Sequence, residues 1–138
     1  MKEMEYKNRR TLPEVLEDNY YKGYRYFIIS YGTHPCAYIA LSEGQPFYNV
    51  EDYDNTDIVC HGGLTYASWG YPKVVNESYK VLGWDYAHCG DFTGNFLPSS
   101  KLLVKGLLRM WTTEEMVQDC KNVIDQLYVK EHVEVFYA

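Results

Sequence analysis

Runs of β-forming residues alternate with turn signals over the first two thirds of the chain, and a helical stripe follows near its end. Residues 24–31 (Tyr-Arg-Tyr-Phe-Ile-Ile-Ser-Tyr) are rich in β-branched and aromatic side chains and predict a strand. Gly32-Thr33-His34-Pro35 is a turn signal, and residues 36–42 (Cys-Ala-Tyr-Ile-Ala-Leu-Ser) continue in the same style, so the two runs predict a hairpin. Residues 43–57 hold Gly44, Pro46, Asn49, Asp52, Asp54, Asn55 and Asp57 and predict a long loop. A short strand is expected at 58–60, leading into His61-Gly62-Gly63, with strand resuming at 64–67. Residues 68–78 read as loop from Gly70, Pro72 and Asn76; 79–85 alternates in part and predicts a strand; 90–100 predicts another loop.

The clearest element lies near the end. Thr112 and Glu115 form a Thr-x-x-Glu capping box, and Trp111 and Met116 flank it as a hydrophobic staple. Met116, Cys120, Val123 and Leu127 recur at helical spacing, with Val117 and Ile124 alongside. This is one apolar stripe on a helix of roughly 15 residues, suited to packing across a sheet. Residues 133–136 predict a final edge strand. Residues 1–22 are polar and charged and read as an N-terminal arm, in which Thr11 and Pro13 can start one helical turn. The expected fold class is α+β: a mainly antiparallel sheet packed against one long C-terminal amphipathic helix, with the arm at 1–22 and a single domain over 23–138.

A chain of 138 residues, 46% apolar, fits one domain with a real core. Its 15 tyrosines suit half-buried strands and wet pocket walls, because each has an apolar body and a polar tip. Asp and Glu outnumber Lys and Arg, 19 to 13, and the net charge of −6 argues against general nucleic-acid binding. A small anionic ligand stays compatible, since backbone amides and one or two cations suffice for it. Cys36, Cys60, Cys89 and Cys120 are widely spaced, with no Cys-x-x-Cys pair, which disfavours a zinc ribbon or a redox dithiol. No apolar signal segment opens the chain and no run is long enough to span a bilayer. The expectation is therefore free thiols, a cytoplasmic location and no membrane partner.

Candidate chemistry concentrates in two segments, His61-Gly62-Gly63 and Asp85-Tyr86-Ala87-His88-Cys89-Gly90-Asp91. Gly62 and Gly63 permit a tight turn, their commoner meaning, or an amide nest for an anion. Asp85, His88 and Asp91 are spaced three apart, so a turn can bring them together. A carboxylate beside an imidazole orients it as a general acid or base. Alternatively His61, Asp85, His88 and Asp91 converge on one divalent metal. Against both stand plain turn roles for the aspartates and ordinary hydrogen-bonded roles for the histidines. Cys60 and Cys89 fit buried packing better than nucleophile roles. His34, before a proline, reads as a turn residue, and His132 lies near the chain end.

Residues 36–48, His-Gly-Gly-Leu-Thr-Tyr at 61–66 and Gly-Trp-Asp-Tyr-Ala-His-Cys-Gly-Asp at 83–91 resemble a family of small phage and prophage proteins, mostly labelled hypothetical. The resemblance spans about residues 24–127. Members often carry His-Pro where this chain has Gln45-Pro46, so that position is not expected to be essential. The resemblance implies a phage setting and a role against host defence, without implying a reaction. The leading expectation is a site for a nucleotide-derived immune signal of the cyclic dinucleotide or cyclic ADP-ribose class. In it Gly62 and Gly63 hold phosphate, Thr65 also contacts the ligand, Tyr66, Trp84 or Tyr86 stacks on a base, and Lys101, Lys105 or Arg109 compensates charge. His61 and His88 then divide base and acid roles as a phosphodiesterase, or the site only sequesters the ligand. Two further expectations are a metal-dependent hydrolase and an acidic surface that engages a host protein. Homo-oligomer formation is compatible with all of them.

Overall fold

Lys22 and Gly23 both take positive φ, 52° and 84°, and turn the chain in two residues between β1 (Glu14–Tyr21) and β2 (Tyr24–Ser30). Positive φ at both turn positions matches the right-handed twist of a hairpin. The structure, a computed structural model, describes residues 14–31, 34–86 and 111–137. Three more strands, β3 (Pro35–Leu41), β4 (Tyr66–Tyr71) and β5 (Val75–Asp85), complete a five-stranded sheet of order β1-β2-β3-β5-β4. Every pairing is antiparallel. Among the described residues one α-helix, α1 (Thr113–Tyr137), follows. The protein is thus α+β, as the pattern of the chain predicts.

Side chains alternate across the central strands, and both faces are buried. On one face Tyr26, Ile28, Ala37, Ile39, Leu82 and Trp84 meet Met116, Cys120, Val123, Ile124 and Leu127 of α1. The helical stripe read from the sequence is therefore the packing face. On the other face Phe27, Ile29, Cys36, Tyr38, Ala40, Val81 and Tyr71 form a second cluster. Burial on both sides explains why β2 and β3 read as near-continuous apolar runs.

Several elements differ from expectation. Residues 14–21, read as part of an arm with one helical turn, form edge strand β1. The acidic Asp18 that disguised it forms a two-toothed ion pair with Arg25 of β2, Nε to Oδ1 at 2.9 Å and Nη2 to Oδ2 at 2.7 Å. Residues 58–60 are not a strand. The Gln126 side chain of α1 receives the Val59 N–H at 2.8 Å and donates to the Val59 carbonyl at 2.7 Å, standing in for a neighbouring strand. The expected loop at 68–78 shrinks to a turn at 72–74, because Gly70, at φ 73°, sits in a bulge of β4 rather than ending it. Residues 133–136 continue α1 instead of forming a strand. No glycine or proline separates them from the helix, so propagation overrides their β preference. The loop at 43–57 is as expected and is pinned by Lys80. This side chain is 3% exposed, donates to the Val50 carbonyl at 2.6 Å and lies 4.1 Å from the Trp69 ring centre. No described helix is long and apolar enough to cross a membrane.

Candidate functional site

The His-Gly-Gly segment is a tight turn. Gly63 N–H donates to the Cys60 carbonyl at 3.0 Å, and Gly62 takes φ 69°, which glycine adopts without strain. The Gly63 amide is spent inside the turn, so the expected phosphate cradle of two free amides is not formed there. The turn lays the His61 ring flat on Tyr86, with centroids 4.9 Å apart and planes 8° apart. Trp111 tilts against both rings, 4.7 Å from His61 and 5.0 Å from Tyr86. Beneath them Trp84 Nε1 donates to Tyr86 Oη at 3.1 Å, and Tyr86 Oη donates to Asp119 Oδ2 at 2.7 Å. Burial, then the bond to Asp119, hold the Tyr86 phenol well above its ordinary pKa. Burial likewise pushes the Cys60 thiol up to about 12.

Trp84 is 1% exposed and Tyr86 0% exposed. Neither has a free ring face for a base, which corrects the stacking roles expected of them: α1 lies over this face and uses both as core. Asp85 falls between these two helix-side residues on β5 and so points to the opposite face. There it pairs across the sheet with Cys36, and Thr65 Oγ1 lies 3.4 Å from its Oδ2. His61, packed on Tyr86, and Asp85 are therefore carried on opposite faces. They do not converge as the four-residue metal expectation requires, whereas the acid–base pairing of His61 with His88 falls outside the described residues. His88, Cys89, Gly90 and Asp91, with Lys101, Lys105 and Arg109, lie outside the described residues. Among the described residues no group of three or more His, Cys, Asp or Glu could hold a metal.

A different site lies on the face away from α1. A cavity of about 800 Å³ opens there, within the range of small-molecule pockets. Ile29, Cys36 and Tyr38 line it from β2 and β3, Val15 from β1, and Tyr66 from β4. Tyr31 and His34 come from the ends of the β2–β3 connection, and Tyr71, Pro72, Lys73 and Val74 from the β4–β5 hairpin tip. The tip curls over the sheet, so Tyr71 meets Phe27 edge-on at 5.5 Å and tilts against Tyr38 at 4.9 Å. Tyr66 meets Tyr38 edge-on at 5.4 Å.

One glycine makes room for this. Gly83 stands beside Tyr38 on β3 and Tyr66 on β4, and the Tyr38 ring lies where a side chain at 83 would be. The hydroxyl groups then converge. Tyr31 Oη shares hydrogen bonds with Tyr38 Oη at 2.9 Å and with Tyr71 Oη. Burial raises the pKa of Tyr31 and Tyr38 and pushes the Cys36 thiol up to about 11. All three stay protonated at neutral pH. Among the described residues the lining contains no carboxylate, and its ammonium is Lys73. The pocket is an apolar, aromatic space that offers hydrogen-bond donors.

Of the expected site residues only Tyr66 lines it. The others were missed because they come from four strands and two turns, spread between Val15 and Val74. The available signal was parity: Phe27, Ile29 and Tyr31 on one strand and Cys36 and Tyr38 on the next share a face once the hairpin is drawn. Comparison with known proteins finds no family profile, curated protein or solved structure that matches this chain.

Proposed function

We propose that the protein binds and sequesters a small nucleotide-derived ligand, and that the ligand sits in the tyrosine pocket on the face opposite α1. The observation that carries this reading is the pocket itself: about 800 Å³, walled by Tyr31, Tyr38, Tyr66 and Tyr71, with Lys73 on its lining. The half-buried rings, Tyr31 and Tyr66, are the ones that can take the flat face of a base. Protonated phenols take its acceptor atoms, and a lysine takes a phosphate charge. Sequestration is favoured over cleavage because the buried phenols and the Cys36 thiol of the lining stay protonated and so are poor bases at neutral pH. The resemblance to small phage proteins supplies the setting, in which the ligand is a host immune signal of the cyclic dinucleotide or cyclic ADP-ribose class.

The test is a thermal-shift screen with cyclic di-GMP, cyclic GMP-AMP and cyclic ADP-ribose, followed by mass spectrometry of the ligand released on denaturation. A ligand at a hundredfold excess over its Kd stabilises the fold by about 2.7 kcal/mol, a shift of several degrees. The expected result is one such shift and intact ligand recovered. No shift with any of the three sinks the nucleotide reading; hydrolysed ligand sinks sequestration.

A further inference from the structure

The β4–β5 ladder is interrupted before its tip. Pairing runs from Tyr66–Gly83 to Trp69–Lys80, shifts register at Gly70 and resumes in a single pair, Tyr71–Val75. Beyond the break the turn at 72–74 is closed by the Val74 N–H, which donates to the Tyr71 carbonyl at 3.0 Å. Lys73 there takes φ 64°, left-handed backbone that is uncommon outside glycine. Gly70, at φ 73°, marks the point where the tip can pivot on the strand. The tip therefore owes its seat over the sheet to contacts outside its own hairpin.

Those contacts come from two places. Tyr71 packs on Phe27 and Tyr38 and shares a hydrogen bond with Tyr31 Oη. The second place is Arg25, whose Nη2 donates to the Val74 carbonyl at 3.2 Å. Arg25 has the parity of Phe27 and Ile29 on β2, so it stands on the cavity face, yet it does not line the cavity. Its bond to Val74 passes over β3, which lies between β2 and β5 in the sheet. Asp18 grips the same guanidinium from β1 with both carboxylate oxygens, at 2.9 and 2.7 Å, and the two side chains are mostly out of water. Asp18, Arg25 and Val74 thus form one bridge from the β1 edge to the hairpin tip.

We propose that the β4–β5 tip is a flap over the tyrosine cavity and that Arg25, oriented by Asp18, is its latch. When Arg25 releases the Val74 carbonyl, the tip swings on Gly70. Tyr71, Pro72, Lys73 and Val74, one wall of the cavity, then move away together. Cys36, on the sheet wall and 8% exposed, is bared by that movement. Arg25 is a positioning residue, which acts on the cavity only through the tip. The latch needs no particular ligand and works in the empty protein. For a molecule closed in under the tip, a weaker latch destabilises the empty and the filled closed states alike. Entry and release then speed up together, and affinity is unchanged.

Thiol labelling of the ligand-free protein tests this. Methyl methanethiosulfonate, a small neutral reagent, is applied in timed pulses to the native protein, Arg25→Met and Asp18→Asn, and the Cys36 and Cys120 peptides are followed by mass spectrometry. Hydrogen exchange of the Val74 amide is read in parallel. Arg25→Met is expected to speed both Cys36 labelling and Val74 exchange about fivefold, the worth of one hydrogen bond. Cys120, buried beneath α1 on the other face, is expected to label at the native rate. Asp18→Asn keeps the arginine and removes the charge that orients it, so a smaller acceleration in the same direction is expected. If Arg25→Met loses its thermal transition, Asp18→Asn decides. Unchanged Cys36 labelling overturns the flap, whether or not Val74 exchanges faster. Equal acceleration of Cys36 and Cys120 overturns it too, since the whole fold has then loosened. Neither result bears on the nucleotide reading, which the thermal-shift screen tests separately.

Discussion

A methyl group added at Gly83 would stand 2.4 Å from Cδ1 of Tyr38 and 3.1 Å from the Ala37 carbonyl. The Tyr38 ring must then leave its seat, and overpacking of this kind costs about 1–3 kcal/mol. Gly83→Ala is expected to lower the urea midpoint accordingly and to weaken ligand binding, because Tyr38 lines the cavity and holds the Tyr31 hydroxyl. An unchanged midpoint would show that the ring is not wedged against the strand. In the sequence this glycine is merely a gap in a strand; its purpose appears only with the register that sets Tyr38 and Tyr66 beside it. The thiols add a pH dependence. Burial raises Cys36 to about 11 and Cys60 to about 12 from an ordinary 9.0. From about pH 9 upward the unfolded chain therefore holds fewer protons than the folded one, and stability falls as pH rises. Below pH 9 the contribution is fully present. The urea midpoint should be flat from pH 7 to about 8.5 and then decline, more steeply than in a Cys36→Ala, Cys60→Ala double variant. A midpoint equally flat to pH 11 in both proteins would contradict burial of the thiols.

At the scale of elements, local signals were legible and long-range ones were not. The capping box is realised in full: Glu115 N–H donates to Thr112 Oγ1 at 3.1 Å, and Thr112 N–H donates to Glu115 Oε1 at 3.2 Å. Thr112→Ala is expected to cost about 1 kcal/mol, read from the urea midpoint, whereas Thr113→Ala, one residue inside the helix, should cost much less. Equal losses would mean that the cap does not hold the helix start. The β2–β3 hairpin was legible because its strands and turn are contiguous. The far end of α1 was not. Its continuation past Leu127 is supported by a partner distant in sequence, with Tyr24 Oη donating to Glu131 at 2.6 Å. Strand β1 was hidden for a related reason. An edge strand exposes most of its side chains, so its polar composition resembles that of a free arm.

At the scale of the molecule, the sheet is a partition. Its helix side is spent on packing, including Trp84, Tyr86 and the His61 turn, and its other side carries the tyrosine pocket. The two motif segments lie close in the fold at His61 and Tyr86, yet alternation along β5 turns Asp85 away from them. The pocket could not be read along the chain, because its residues are brought together by strand register and by the curl of the β4–β5 tip. The most direct measurement is therefore one that says which side of the partition a ligand touches. Two-dimensional NMR of the aromatic side chains, recorded while the stabilising cyclic nucleotide is titrated in, reports both sides at once. The expected result is saturable shifts of the Tyr31, Tyr66 and Tyr71 rings with the Trp111 indole and His61 ring unmoved. Shifts confined to His61 and Trp111, with the four pocket tyrosines silent, would contradict the site proposed here and return it to the His-Gly-Gly turn.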